Sequence, residues 1–194
     1  MLARRRLSLS GAEAAGTFRR DAASARNSNS GRRRMNAANI HSTAATPEST
    51  VLDGRVAKWS LPALELPLGP DAPALKRLRL PQGELAQFYD ADEGIRYLAF
   101  IELLPGQVRG NHYHRVKEEL LYVIRGEVVL CVADIESKAR ADVTLRAGDL
   151  AVIRTRIAHA LRTVEAGQAI EFSPARFDAA DIHPFLLSGG VARC

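Results

Sequence analysis

The sequence predicts an all-β protein, an antiparallel sandwich or barrel. Three observations carry that prediction. Beyond Gly83 the chain breaks into short runs rich in β-branched and aromatic residues, each bounded by Gly, Pro or Asp, at the spacing of roughly 8–12 residues that sandwich strands show. Pro62, Pro67, Pro70, Pro73 and Pro81 exclude a long helix from the segment ahead of those runs. A composition of 46% hydrophobic and 25% charged residues over 194 positions is that of one globular domain with a substantial core.

The elements follow in chain order. Residues 1–50 are rich in Ala, Ser, Arg and Asn, with Phe18 as their only aromatic. Such a segment buries too little apolar surface to offset its ordering entropy and is expected to be a disordered, basic leader. An organellar transit peptide and a tail for anionic partners are two readings of it. The reading taken is an over-extended frame with Met35 as the true start, because the arginine clusters stop at Arg34. Residues 51–82 form a proline-rich arm, and 83–194 the β domain. Its strands are expected at Glu84–Tyr89, Ile95–Leu104, Gly110–His114, Glu119–Arg125, Glu127–Ala133, Ala141–Leu145, Leu150–Ile153, Ala158–Val164 and Ala169–Phe172. Arg125-Gly126 is expected to be a tight hairpin turn with glycine at positive φ, and Asp178–Ile182 a short terminal helix.

Charge and cysteine usage narrow the classes. The net charge of +5 comes from residues 1–34, which hold nine arginines against Glu13 and Asp21; the rest is slightly acidic. A basic surface that tracks phosphates is therefore not expected, and no nucleic-acid partner is assigned. No apolar run approaches the ~18 residues of a membrane helix, so no membrane partner is assigned either. Two cysteines cannot build a disulfide framework, so Cys131 and Cys194 are expected as free thiols in a cytoplasmic protein.

The chemistry concentrates in Gly110-Asn111-His112-Tyr113-His114. On a strand, residues i and i+2 share a face, so His112 and His114 point together and Tyr113 away. Glu119 opens the next apolar run, where a return of the chain brings its carboxylate beside the histidines; alternation sends Glu118 to the opposite face. His159 opens a further strand. Isolated strand histidines are commonly core residues, but four ligand-type residues converging at one barrel mouth form a mixed N/O site. That site suits one divalent transition metal, Fe, Mn, Zn or Ni. His41 and His183 are expected to be exposed and neutral.

These residues resemble the cupin superfamily. Its first motif is met by Gly106, five residues, His112-Tyr113-His114, four residues, Glu119, six residues and Gly126. Its second is met in part by Gly148 and His159, with Arg154 and Arg156 where the family has Pro and Gly, and Thr163 where it has Asn. The resemblance covers about half the chain, Glu84 to Ser173. It implies a cupin-type double-stranded β-helix (a jelly-roll barrel), metal ligation by His112, His114, Glu119 and His159, and a homodimer paired through sheet edges, with the Val51–Leu80 arm crossing onto the partner.

The string from Val108 to His114, with Lys117 and Glu119, resembles more narrowly the cupins of surface-polysaccharide and deoxysugar assembly, including nucleotide-sugar ketoisomerases and epimerases. That likeness implies an isomerase or epimerase acting on a sugar or nucleotide-sugar in polysaccharide biosynthesis, by proton transfer α to a carbonyl. Arg109 stands where relatives meet a diphosphate, although a solvated strand-end arginine is an equal alternative. His112, His114 and Glu119 are the catalytic candidates; if metal occupies the histidines, Tyr97, Tyr113 or Tyr122 must assist, and Tyr122 is assigned to substrate binding. An Fe(II)-dependent dioxygenase and a non-catalytic small-molecule-binding cupin are the competing classes.

Overall fold

The computed structural model describes residues 46–187. The expectations for residues 1–45, for His41, for the start at Met35 and for Cys194 fall outside them. Twelve strands are present among the described residues: β1 (Ser49–Val51), β2 (Val56–Ser60), β3 (Ala63–Glu65), β4 (Lys76–Leu80), β5 (Gly83–Gln87), β6 (Tyr97–Leu103), β7 (Val108–Tyr113), β8 (Glu119–Asp134), β9 (Arg140–Arg146), β10 (Asp149–Ile153), β11 (Ile157–Ser173) and β12 (His183–Pro184). A 3₁₀ turn at Ala179–Asp181 is capped by the Asp178 side chain, which accepts from the Ala180 N–H. No described helix is long and apolar enough to cross a membrane.

The all-β jelly roll is built around two long antiparallel strands, β8 and β11. The first half of β8 pairs with β10, and β10 with β2, while the second half pairs with β9. The first half of β11 pairs with β7 and its second half with β6. Both strands thus pass from one sheet layer to the other, and the layers close on a core that includes Leu121, Val123, Val128, Leu130, Leu145 and Leu161.

Bending both strands has a local cause, and it corrects the expected hairpin at Arg125-Gly126. Strand β8 runs through Gly126 without turning back, and its register against β11 slips around Glu165 and Gln168. Gly126 has φ +86, and a Cβ there would lie 2.7 Å from the Ala166 carbonyl oxygen. The bulge inverts the alternation: Leu121 and Val123 face the barrel core before it, Val128, Leu130 and Val132 after it. Two β-patterned runs separated by a glycine fit a hairpin equally well, and the local sequence does not distinguish the two.

The segment 51–82 carries strands as well as prolines. β2 is hydrogen-bonded to β10 of the same chain, with Val56 opposite Ile153. β3, β4 and β5 form a separate small sheet. A second apolar cluster joins Trp59, Leu61 and Leu75 of this region to Leu120, Tyr122, Leu150 and Phe172, on the other side of β8 from the barrel core. Cys131 is disulfide-bonded, which corrects the expectation of a free thiol there.

Candidate metal centre

Three local features bring the chemistry-bearing side chains together. Strand β7 pairs with β11 so that His112 lies directly opposite His159. The register then slips between His159 and Ala160, leaving Asn111 as an extra residue in the left-handed region, φ +62. Gly110 beside it has φ +98 and touches β11 so closely that a Cβ would fall 2.8 Å from the His159 carbonyl oxygen. A bulge of this kind re-aims a side chain, and here it directs the end of β7 inward. The chain then turns through 115–118 and enters β8 at Glu119.

His112, His114, Glu119 and His159 each present one ligand atom, all within 4.8 Å of one another. The Nε2 atoms of His112 and His114 are 3.2 Å apart. His114 Nε2 is 3.1 Å from Glu119 Oε2, and His159 Nε2 is 3.4 Å from Oε1. His114, Glu119 and His159 are buried. The outer nitrogens fix the tautomers. His114 Nδ1 faces the Asp181 carbonyl oxygen at 2.8 Å and His159 Nδ1 the Ile157 carbonyl oxygen at 3.1 Å, and both must donate. In the neutral rings the Nε2 lone pairs therefore aim at the centre, toward a carboxylate that is itself an acceptor. His159 Nε2 is buried with no hydrogen-bond partner.

Acceptors facing one another are stable only with a cation among them, either a proton or a metal ion. The titration behaviour records this crowding. Burial, reinforced by the neighbouring His159, pushes His112 down to about 4. Burial also works to lower His159, but the Glu119 carboxylate outweighs it and the ring is raised. Burial works to raise Glu119, yet the charge of His159, with His114 and Lys117 close by, holds it well below the usual carboxylate range. Three imidazole nitrogens and one carboxylate oxygen are a donor set suited to borderline divalent cations, so the residues present fit such a metal.

Around the four lie Lys117 and Tyr97, both named from the sequence, and Glu171, which was not. Lys117 Nζ bridges Glu119 Oε2 at 3.2 Å and Glu171 Oε1 at 2.5 Å and sits 4.3 Å from the centre of the Tyr97 ring. Burial works to lower Lys117, but the two carboxylates raise it, so it is an ammonium. Burial and the charge of Glu119 raise Glu171. Glu171 lies 52 residues from Glu119 in a run read only as a strand, and pairing of β8 with β11 places it opposite Leu121; no spacing rule announces it.

The other expected site residues divide. Arg109 is exposed, and its charge lies near enough to Tyr97 to oppose the rise that burial causes in that phenol. Tyr113 points away, stacked on His183 at 4.9 Å. Glu118 turns to Arg154, 3.3 Å away. Tyr122 requires a correction: it is not brought to the cluster but stacks on Phe88 in the second apolar cluster, at 4.4 Å. Glu119, Leu121 and Val123 share one face of β8, so position 122 must take the other. His183 is also corrected, since β12 pairs with β7 and holds it against Tyr113 rather than free in solvent.

Residues 99–174, which contain all four ligand-type residues, match the family model described as a cupin domain. That stretch is a cupin domain. No curated protein sequence matches the chain. Among solved structures, the chain is similar to the TDP-quinovose 3,4-ketoisomerase of Campylobacter jejuni at 18% identity and a TM-score of 0.51, covering 57% of this chain and 88% of that one. It is similar to the dTDP-4-dehydrorhamnose 3,5-epimerase of Bacillus anthracis at 12% identity and a TM-score of 0.56, covering 73% and 84%. An epimerase of Mycobacterium tuberculosis matches at 10% identity, with a TM-score of 0.56 and 72% of each chain covered. At these identities the likeness is one of fold.

Proposed function

We propose that this cupin holds one divalent transition metal through His112, His114, Glu119 and His159, and acts as an isomerase or epimerase on a sugar or nucleotide-sugar in polysaccharide biosynthesis. The observation that carries the reading is the buried His159 Nε2, aimed at a carboxylate with no hydrogen-bond partner. A metal bound there supplies Lewis-acid polarisation of a substrate carbonyl. The structural neighbours named as ketoisomerases and epimerases of TDP-sugars support the substrate class.

The chain's own residues divide the remaining work. With the histidines held as ligands, proton transfer falls to Glu171, whose carboxyl is raised from its ordinary value by burial and by Glu119. Its carboxylate takes the proton α to the carbonyl and returns it either to the other face of that carbon, or to the former carbonyl carbon while the α-hydroxyl proton passes to the former carbonyl oxygen. Lys117, fixed between Glu119 and Glu171, keeps both side chains oriented and balances their charge. Tyr97 lies beneath Lys117, and the exposed Arg109 is assigned to a phosphate oxygen of the substrate, a role that suits its planar fork.

Two measurements test this. Elemental analysis of protein purified without chelators should find close to one metal per chain, and His114→Ala and His159→Ala should lose it; full metal content in both variants overturns the ligand assignment. In D2O, a TDP-4-keto-6-deoxysugar should take up deuterium beside its carbonyl, at a rate cut sharply by Glu171→Gln. A metal-loaded protein that exchanges no proton in such a sugar removes the isomerase reading and leaves the metal site standing.

A further inference from the structure

The ligand strand is tied to a segment of the chain beyond the matched cupin residues. Between Asp178 and Leu187 the chain runs along β7, pairing His183 with Tyr113 and Pro184 with His112, and several of its hydrogen bonds end beside a ligand histidine. The Asp181 carboxylate accepts three successive backbone N–H groups: Arg115 to Oδ1 at 2.8 Å, Val116 to both oxygens at 3.2 Å, and Lys117 to Oδ2 at 2.9 Å. Those amides form the turn that carries the chain from His114 to Glu119. The carbonyl of the same residue accepts the Nδ1–H of His114. Asp181 is 8% exposed, and burial works against its charge, yet the three amides hold its carboxyl below the usual range.

Two further ties act on the bulge. Phe185 N donates to the Asn111 carbonyl at 2.8 Å, and Leu187 N donates to Asn111 Oδ1 at 3.1 Å. Asn111 is the extra residue at φ +62 that re-aims His112. Leu187 is buried among Ala133, Ala158 and Ala160, and its carbonyl accepts from Arg140 at 2.8 Å. The segment is therefore anchored by packing at its far end and by charge-assisted hydrogen bonds at its near end.

We propose that Asp181 is the positioning residue of the His/Glu centre, its carboxylate shaping the 115–117 turn and its carbonyl fixing the His114 tautomer, so that docking of the 178–187 segment and metal affinity are coupled. The inference rests on the metal reading of the site. Outer partners that orient metal-binding histidines are commonly worth about ten- to a hundredfold in affinity, and coupling between two such events is reciprocal. Metal bound at the four ligands must therefore hold the segment closed as strongly as the closed segment favours the metal.

The test uses the full chain with Co(II) as probe. Asp181→Ala should bind Co(II) about tenfold or more weakly and shift its visible ligand-field bands, because the His114–Glu119 turn relaxes. Asp181→Asn, which keeps one acceptor oxygen and the side-chain shape, should fall between Asp181→Ala and the parent. In the parent protein, Co(II) should slow hydrogen exchange at the amides of Arg115, Val116, Lys117, Phe185 and Leu187. If the parent takes up no Co(II), the metal reading fails. If the parent binds and either variant matches it in affinity and spectrum, the positioning role is overturned. Should neither variant fold, exchange in the parent decides: Co(II) uptake that leaves those five amides unchanged overturns the coupling.

Discussion

Replacing Gly110 with alanine should damage stability and metal affinity together, and the structure sets the size of the effect. The added Cβ would lie 2.8 Å from the His159 carbonyl oxygen and 3.1 Å from the Ala160 Cα, both backbone atoms that cannot rotate away. Relief to ordinary contact requires β7 and β11 to part by about 0.6 Å, a shift of the overpacking kind that costs about 1–3 kcal/mol. The positive φ of +98 adds about 1–2 kcal/mol for a residue with a Cβ. Because His112 is the register partner of His159, any parting moves the two Nε2 atoms relative to each other. A tenfold or greater loss of affinity, about 1.4 kcal/mol, is expected. Gly106→Ala is the matched control: its φ is +76, but nothing lies within 4 Å of the added Cβ. It should lose only the conformational contribution and bind metal normally. Urea-unfolding midpoints and Zn(II) affinities of both variants provide the comparison. Equal destabilisation of the two, with unchanged Zn(II) binding in Gly110→Ala, would refute the close-approach reasoning.

Three other outcomes are expected. Glu119→Gln should weaken Mn(II) more than Zn(II), since it removes the one hard anionic donor from a set otherwise of imidazoles, while Tyr113→Phe, on the outer side of β7, leaves metal content unchanged; competition titrations check both. In the metal-free protein, His112 stays neutral down to about 4, whereas the unfolded chain takes up that proton near pH 6.5. Its contribution to stability is therefore complete above pH 6.5 and is lost as the pH falls from 6.5 toward 4. The unfolding midpoint of His112→Gln should fall less steeply than that of the parent across this window; parallel slopes refute the assignment. Leu130→Ala removes a fully buried core side chain and should cost about 2–5 kcal/mol in chemical denaturation without altering metal stoichiometry.

Much of this protein was settled by the chain locally. The all-β character followed from short strand-like runs and proline placement, since period-2 patterning and breakers are properties of adjacent residues. His112 and His114 were legible as a pair because two residues apart on a strand means one face, and the spacing to Glu119 and His159 marked the cupin motifs. The same locality explains what was missed. Whether Gly126 turns the chain back or bends it onward depends on what β11 places opposite, namely the carbonyls of Glu165 and Ala166. Tyr122 and Glu119 lie on opposite faces of β8, a matter of strand phase relative to the core that no residue type reveals. Glu171 reaches the site through the pairing of β8 with β11, and Asp181 through the return of the C-terminal segment over β7. Motif spacing specifies which residues are available near one another in sequence. Only the closed barrel, by bringing strands far apart in the chain into register, decides which lone pairs meet at its centre and which groups hold them there.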